Sequence, residues 1–426
     1  MFLKSKLQKV LEKWVVNKGD LSEALDAIGD IEINKKKDAI SIVEALKSIS
    51  YDVKVKEHQF SSPVHCLTAF FQDARSKEAY EVFKENGIPE LRRLLKEGLK
   101  FPKNREDDLM FIMKILGIYQ QKQDASLIAE VALSGFQSDS YMWTVIFGIF
   151  DEEHEYWKVL LEALRNPLPK DFIRVSYLDF ANKLLMGKKK IRHPFDSDQG
   201  VEILKSYLSD TDRDSYSYAH SATVALPFLH EKSRTELSKL AQKHPDISVR
   251  IESDWVLAKL GDKAGVNSLK NWALDPNYSS VACAYLKELG YEKEIPSLAL
   301  EENFVAMAEM CDWLSHPNEF GRPPDKIEQY DSRTLYWPPT DDERKVWLFK
   351  YNFKPLEKGD KLETGISMVG SITFALFGEA TQDLSPVEVY GLHCAWELES
   401  NEDSRAPKKR SPASGLKILK QYNKDL

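Results

Sequence analysis

A chain of 426 residues is long for one compact core, so an elongated array of repeats or two domains is expected. With 42% hydrophobic and 30% charged residues, its composition is that of a folded, soluble protein and excludes a disordered one. A net charge of −8 weighs against a dominant binder of phosphate backbones, although a local basic face remains compatible with it.

Residues 2–16 place Phe2, Leu3, Leu7, Val10, Leu11, Trp14 and Val15 along the stripe of an amphipathic helix. No uninterrupted apolar run follows the basic residues at the start, so neither a signal peptide nor a membrane span is expected, and the cytoplasm is the default location. Asp20 with Glu23 has the form of a capping box, and the helix it opens, 24–28, leads to Gly29. Further helices are expected over 36–48, 64–74, 78–86 and 89–96, with a loop across 50–62. From residue 107 an apolar helix followed by glycine recurs. Residues 109–116 stop at Gly117 with 126–133 as partner, and 140–147 stop at Gly148 with 152–164 as partner. Residues 171–186 stop at Gly187, and a basic insertion, Lys188-Lys-Lys-Ile-Arg-His193, precedes 200–208. The unit at 217–240 has His230 where glycine would stand.

The repeat is clearest over 246–298. Leu257-Ala-Lys-Leu-Gly261 and Leu286-Lys-Glu-Leu-Gly290 lie 29 residues apart, as do Leu269 and Leu298. Self-similarity at this period marks a stack of helical hairpins, none of which buries its apolar face alone. Glycine just past a helix tolerates the left-handed conformation that satisfies the last carbonyls, so Gly261 and Gly290 read as stops. The motif Asp246-Ile-Ser-Val-Arg250 followed by Trp255-Val-Leu-Ala-Lys-Leu-Gly261-Asp262 resembles the short HEAT-like repeats first associated with phycobilin lyases. That resemblance implies an α-solenoid over 1–317. It leaves function open, because such repeats serve scaffolds and a few enzymes alike.

After Pro317 the helical stripes give way to turn chemistry. Residues 346–353 put Trp347, Phe349, Tyr351 and Phe353 on one face of a strand, and 365–376 do the same with Ile366, Met368, Ile372 and Phe374. Ser385-Pro-Val-Glu388 opens a short helix, and 392–398 reads as a third strand. A small β-rich domain is therefore expected over 318–400, covering the end of the solenoid, with 401–426 a flexible charged tail holding a short helix. The stretches Leu335-Tyr-Trp-Pro-Pro-Thr340 and Gly370-Ser-Ile-Thr-Phe-Ala-Leu-Phe-Gly378-Glu379 resemble the tail of uncharacterised bacterial HEAT-repeat proteins.

The densest candidate binding site is Tyr336, Trp337, Arg344 and Trp347, where aromatics, prolines and charges crowd together and form either a pocket or a core plug. Cys66, Cys283, Cys311 and Cys394 form no CxxC pair and read as reduced thiols. Cys311 and His316 with His393 and Cys394 lack zinc spacing, so no metal is expected. His393 and Cys394, as strand neighbours, would point to opposite faces and form no nucleophile–base pair. The basic runs 188–193 and 408–410 read as solvated loops. No phosphate-binding glycine loop or hydrolase motif is present, and no cofactor is expected. The expected function is a non-catalytic scaffold binding a protein or peptide on the concave face, with nucleic acid and membrane disfavoured. The resemblance also implies two alternatives: a lyase-like protein holding a bilin-type cofactor, and a HEAT-type DNA glycosylase, which needs a basic face and a clustered Trp/Asp/Arg trio.

Overall fold

A computed structural model describes residues 6–17, 33, 35–51, 63–72, 74, 76–100, 105–355, 361–372, 374–377 and 381–426. The expected capping box at Asp20, the helix leading to Gly29 and most of the loop at 50–62 lie outside them. The chain is mainly helical, with a small antiparallel sheet toward its C-terminus. Among the described residues no helix is long and apolar enough to cross a membrane. Two compact units form, Met1–His244 and Pro245–Leu426. The change in composition after Pro317 therefore marks where the sheet begins, not where the second unit begins.

The first unit runs α1 (Lys6–Asn17), α2 (Lys36–Lys47), α3 (Pro63–Gln72) and α4 (Lys77–Val82), then a wide turn at Phe83–Gly87 leading into α5 (Ile88–Gly98). The hydroxyl of Ser76 accepts from the Ala79 N–H and starts α4. Next come α6 (Glu106–Ile118), α7 (Lys122–Ser134), α8 (Met142–Ile149), α9 (Trp157–Ala163), α10 (Asp171–Met186), α11 (Asp198–Ser209), α12 (Tyr216–Ala225) and α13 (Glu231–Ala241). Leu109, Met110, Ile112, Met113, Ile115 and Leu116 of α6 are all buried, so this helix is apolar on every side and lies inside. It packs on α8, α8 on α10, and α10 on α12, while α7 packs on α9 and α11 on α13.

In this unit His193 donates from Nε2 to Asn182 Oδ1 (3.1 Å), and its Nδ1 accepts from the Phe195 N–H (3.2 Å). Burial pushes its pKa down to about 3. His393 of the second unit, also buried, is pushed down to about 3 by the same cause. Because the folded state holds both rings neutral, their contribution is complete above the unfolded value of 6.5. It is lost as pH falls from there toward 3, by up to about 1.4 kcal/mol per pH unit per histidine. Chemical denaturation at pH 7.5 and 5 should show this loss, and His193→Gln should flatten the pH dependence of the first unit. An unchanged slope in that variant would contradict the assignment.

The second unit begins with α14 (Ile247–Lys259), α15 (Lys263–Trp272), α16 (Ser279–Glu288) and α17 (Glu302–Ser315). Asp246 caps α14 by accepting from the Val249 N–H (3.0 Å), and Asp262 caps α15 by accepting from the Ala264 N–H (2.8 Å). Gly261 (φ +85°) and Gly290 (φ +79°) are left-handed. In both copies the residue after the glycine closes the helix with a second bond, Asp262 N–H to Leu257 O (3.0 Å) and Tyr291 N–H to Leu286 O (2.8 Å). The other three glycines behave differently. Gly117 and Gly148 lie inside the last turns of α6 and α8, and Gly187 ends α10 with a right-handed φ of −70°. After α6 and α10 the left-handed residues are Gln120 (φ +48°) and Lys188 (φ +64°), so the chain turns later than the glycines suggest. Gly261→Val should cost about 1 kcal/mol or more through conformation alone, since a Cβ there meets nothing within 4 Å. Unchanged melting in that variant would remove the stop assignment.

The sheet is a meander, β1 (Lys326–Trp337), β2 (Asp342–Phe353), β3 (Glu363–Val369) and β4 (Phe374–Phe377), in the order β1-β2-β3-β4. Gly370, with φ +118°, breaks the run 365–376 into two strands. Alternation gives the sheet two apolar faces. Phe349, Tyr351, Phe353 and Val369 pack on Ala306, Met310 and Leu314 of α17. Leu335, Trp337, Val346, Leu348, Ile366 and Met368 pack on α18 (Pro386–Ser400) and α19 (Pro412–Tyr422). Residues 392–398, expected as a strand, belong to α18, which a complete capping box at Ser385 and Glu388 starts. The segment expected as a flexible tail is likewise built in: Leu419 of α19 is fully buried in that second core.

Candidate functional site

The β1–β2 hairpin carries the four residues singled out from the sequence, and the structure separates them. Trp337 is fully buried, its indole N–H donating to Glu397 Oε2 (2.9 Å), which also accepts from the Ser371 hydroxyl (2.9 Å). Burial pushes the Glu397 carboxyl up, while the indole, the hydroxyl and the Arg344 charge pull it back. Arg344 itself is half-buried and donates to Asp342 Oδ1 (2.7 Å). Trp347 lies on the opposite face, where its indole donates to Asn303 Oδ1 (2.8 Å) on α17 and Lys345 sits 5.2 Å over its ring.

Tyr336 is held from the C-terminus. The side-chain amide of Asn423 accepts from its N–H (2.8 Å) and donates to its carbonyl (2.9 Å), as a neighbouring strand would. Its ring stacks on Tyr422 with centroids 5.2 Å apart. The turn is clamped by Arg405, which bonds both Asp341 (2.6 Å) and Asp403 (2.7 Å). The Arg405 guanidinium holds the Asp403 carboxyl down at about 2. Trp337, Trp347 and Tyr336 thus brace the sheet to a helix or a turn, Arg344 pairs within its own strand, and Trp337 and Trp347 face away from each other.

A cluster the sequence reading passed over lies between α14 and α15. Asp254 Oδ2 accepts from the Ser268 hydroxyl (2.5 Å) and from the Trp272 indole N–H (2.8 Å). Arg250 lies 6.0 Å over the Trp272 ring, and Tyr278 meets that ring edge-on at 5.5 Å. Burial pushes the Asp254 carboxyl up. Arg250 and Asp254 are one helical turn apart, as are Ser268 and Trp272, so the signal was present in the sequence as two i,i+4 pairs. Gly265 brings the helices this close, since a Cβ there would lie 2.5 Å from both Ala258 N and Asp254 O. The arrangement is suited to holding a hairpin closed.

His393 and Cys394 are neighbours on a helix rather than a strand, both fully buried, and burial pushes the Cys394 thiol up to about 12. Cys311 lies across the sheet on α17. Among the described residues no group of three or more His, Cys, Asp or Glu side chains is arranged to hold a metal ion. No family model and no curated protein matches this chain.

Proposed function

We propose that the chain is a HEAT-like stack of helical hairpins that works by binding a protein or peptide along one face, as a scaffold without chemistry of its own. The observation that carries this reading is a set of side-chain links placed one hairpin apart. Arg92–Asp124 and Thr144–Ser176 each span 32 residues, Lys205–Glu236 spans 31, and Lys259–Glu288 in the second unit spans 29. Links at near-constant spacing are what a stack requires, because each hairpin touches only its neighbours. The serial pairing of alternate helices, α6 with α8, α8 with α10 and α10 with α12, and α7 with α9, supports the same arrangement. Stacks of this kind present long surfaces, and the exposed apolar side chains Leu298, Leu300 and Val305 offer anchors of the sort protein interfaces use.

The test is affinity capture from the soluble extract of the native host, with mass spectrometry of both proteins and small molecules. A stoichiometric protein partner that is lost on Leu300→Glu/Val305→Glu is the expected result. A specific small molecule retained without any protein would overturn it in favour of a lyase-like, ligand-handling protein. The Trp272, Asp254 and Arg250 cluster favours a second reading, an enzyme that acts on nucleic-acid bases. Against it, Asp254 is engaged by two donors, and Asp246 and Asp275 lie beside Tyr278, an acidic setting that repels phosphates.

A further inference from the structure

We propose that α19 and the loop before it form a binding surface for the phosphate backbone of a nucleic acid. In a chain of net charge −8, residues 408–426 carry Lys408, Lys409, Arg410, Lys417, Lys420 and Lys424 against Asp425 alone. The structure gathers these cations. Leu419 and Gly415 turn inward against α18, which leaves Lys417 and Lys420 on the exposed side of the helix, with Lys424 just past its end and Lys408 and Lys409 just before its start. Arg410 pairs with Glu399 (3.2 Å), whereas none of the five lysines has a carboxylate within ion-pair distance among the described residues.

The surroundings select the class of polyanion. An interface with a folded protein needs several apolar anchors, and beside Ala413, Lys417, Lys420 and Gln421 the outward side of α19 offers only Tyr422, whose ring is already stacked on Tyr336. A lipid surface is broad, and would press Glu399, Glu402 and Asp425, all exposed beside the lysines, against anionic headgroups. A narrow rod of phosphates can follow the lysines and avoid those carboxylates. The exposed aromatic ring of α19, Tyr422, is engaged with Tyr336, so contacts to phosphates carry the binding and recognition is independent of sequence. This surface lies on its own helix and holds or fails independently of the scaffold reading.

Fluorescence anisotropy of a labelled 20-base-pair random duplex with the full chain tests the proposal, with phosphatidylserine vesicles and a labelled polyglutamate peptide as rival probes. Duplex binding should weaken with salt, with a log–log slope of about −4. Lys417→Glu/Lys420→Glu/Lys424→Glu should weaken it at least tenfold, while the equally charged Lys188→Glu/Lys190→Glu/Lys243→Glu should not. These lysines are exposed, so unchanged melting of both variants is expected and is checked alongside. Absence of duplex binding at 50 mM salt, equal loss in both variants, or tighter binding of vesicles or polyglutamate would each overturn the proposal.

Discussion

Gly415→Leu should detach α19 from the second unit. Gly391 and Gly415 meet where α18 and α19 cross: a Cβ on Gly391 would lie 2.5 Å from Leu416 N and 2.8 Å from Pro412 O, and one on Gly415 would strike the Gly391 carbonyl. These neighbours are backbone and cannot swing aside, so a side chain must push the helices apart. Leu419 would then leave its core, and Asn423 would release the edge of β1 at Tyr336. The expected cost is about 3 kcal/mol or more, at the upper end for overpacking. Urea denaturation should show it, with Ala413→Leu on the exposed face of the same helix close to neutral. A Gly415→Leu protein as stable as the parent would mean that α19 does not sit on α18 in solution.

The second large effect is expected at Trp337. Trp337→Ala removes a fully buried indole and should cost about 4 kcal/mol. Trp337→Phe keeps most of the apolar area but takes one of two side-chain donors from buried Glu397, which should cost about 1–3 kcal/mol. Adding Glu397→Gln to that variant should recover part of the loss. Trp347→Ala should cost much less, because this ring is only partly buried and its indole bonds to exposed Asn303. Equal costs at the two tryptophans would contradict their placement on opposite faces of the sheet.

What the sequence reveals depends on how local the physics is. Gly261 and Gly290 were legible because a left-handed stop is set within one turn and because two copies repeat it. Gly117, Gly148 and Gly187 follow apolar runs of the same kind, yet α6 and α8 run past their glycines to turn at Gln120 and Phe150, and Gly187 ends α10 in a right-handed conformation with the left-handed turn at Lys188. Trp347, Phe349, Tyr351 and Phe353 declare a strand by alternation. β1 does not, because this edge strand is polar along most of its length, as edges that resist pairing are. Residues 392–398 read as apolar and β-prone, but the capping box at Ser385 governs them. The proposed binding site gathered residues adjacent in sequence, and alternation sent its two tryptophans to opposite faces. The Asp254 cluster is formed by two helices that only the fold brings together.

The most direct test of the stacked-hairpin account is zero-length carbodiimide cross-linking followed by mass spectrometry. The account predicts that lysine–carboxylate links within each unit fall mainly one hairpin apart, with Lys205–Glu236 and Lys259–Glu288, at 31 and 29 residues, among the strongest. Abundant links joining helices three or more hairpins apart within the same unit would contradict it, because in a stack such helices never meet.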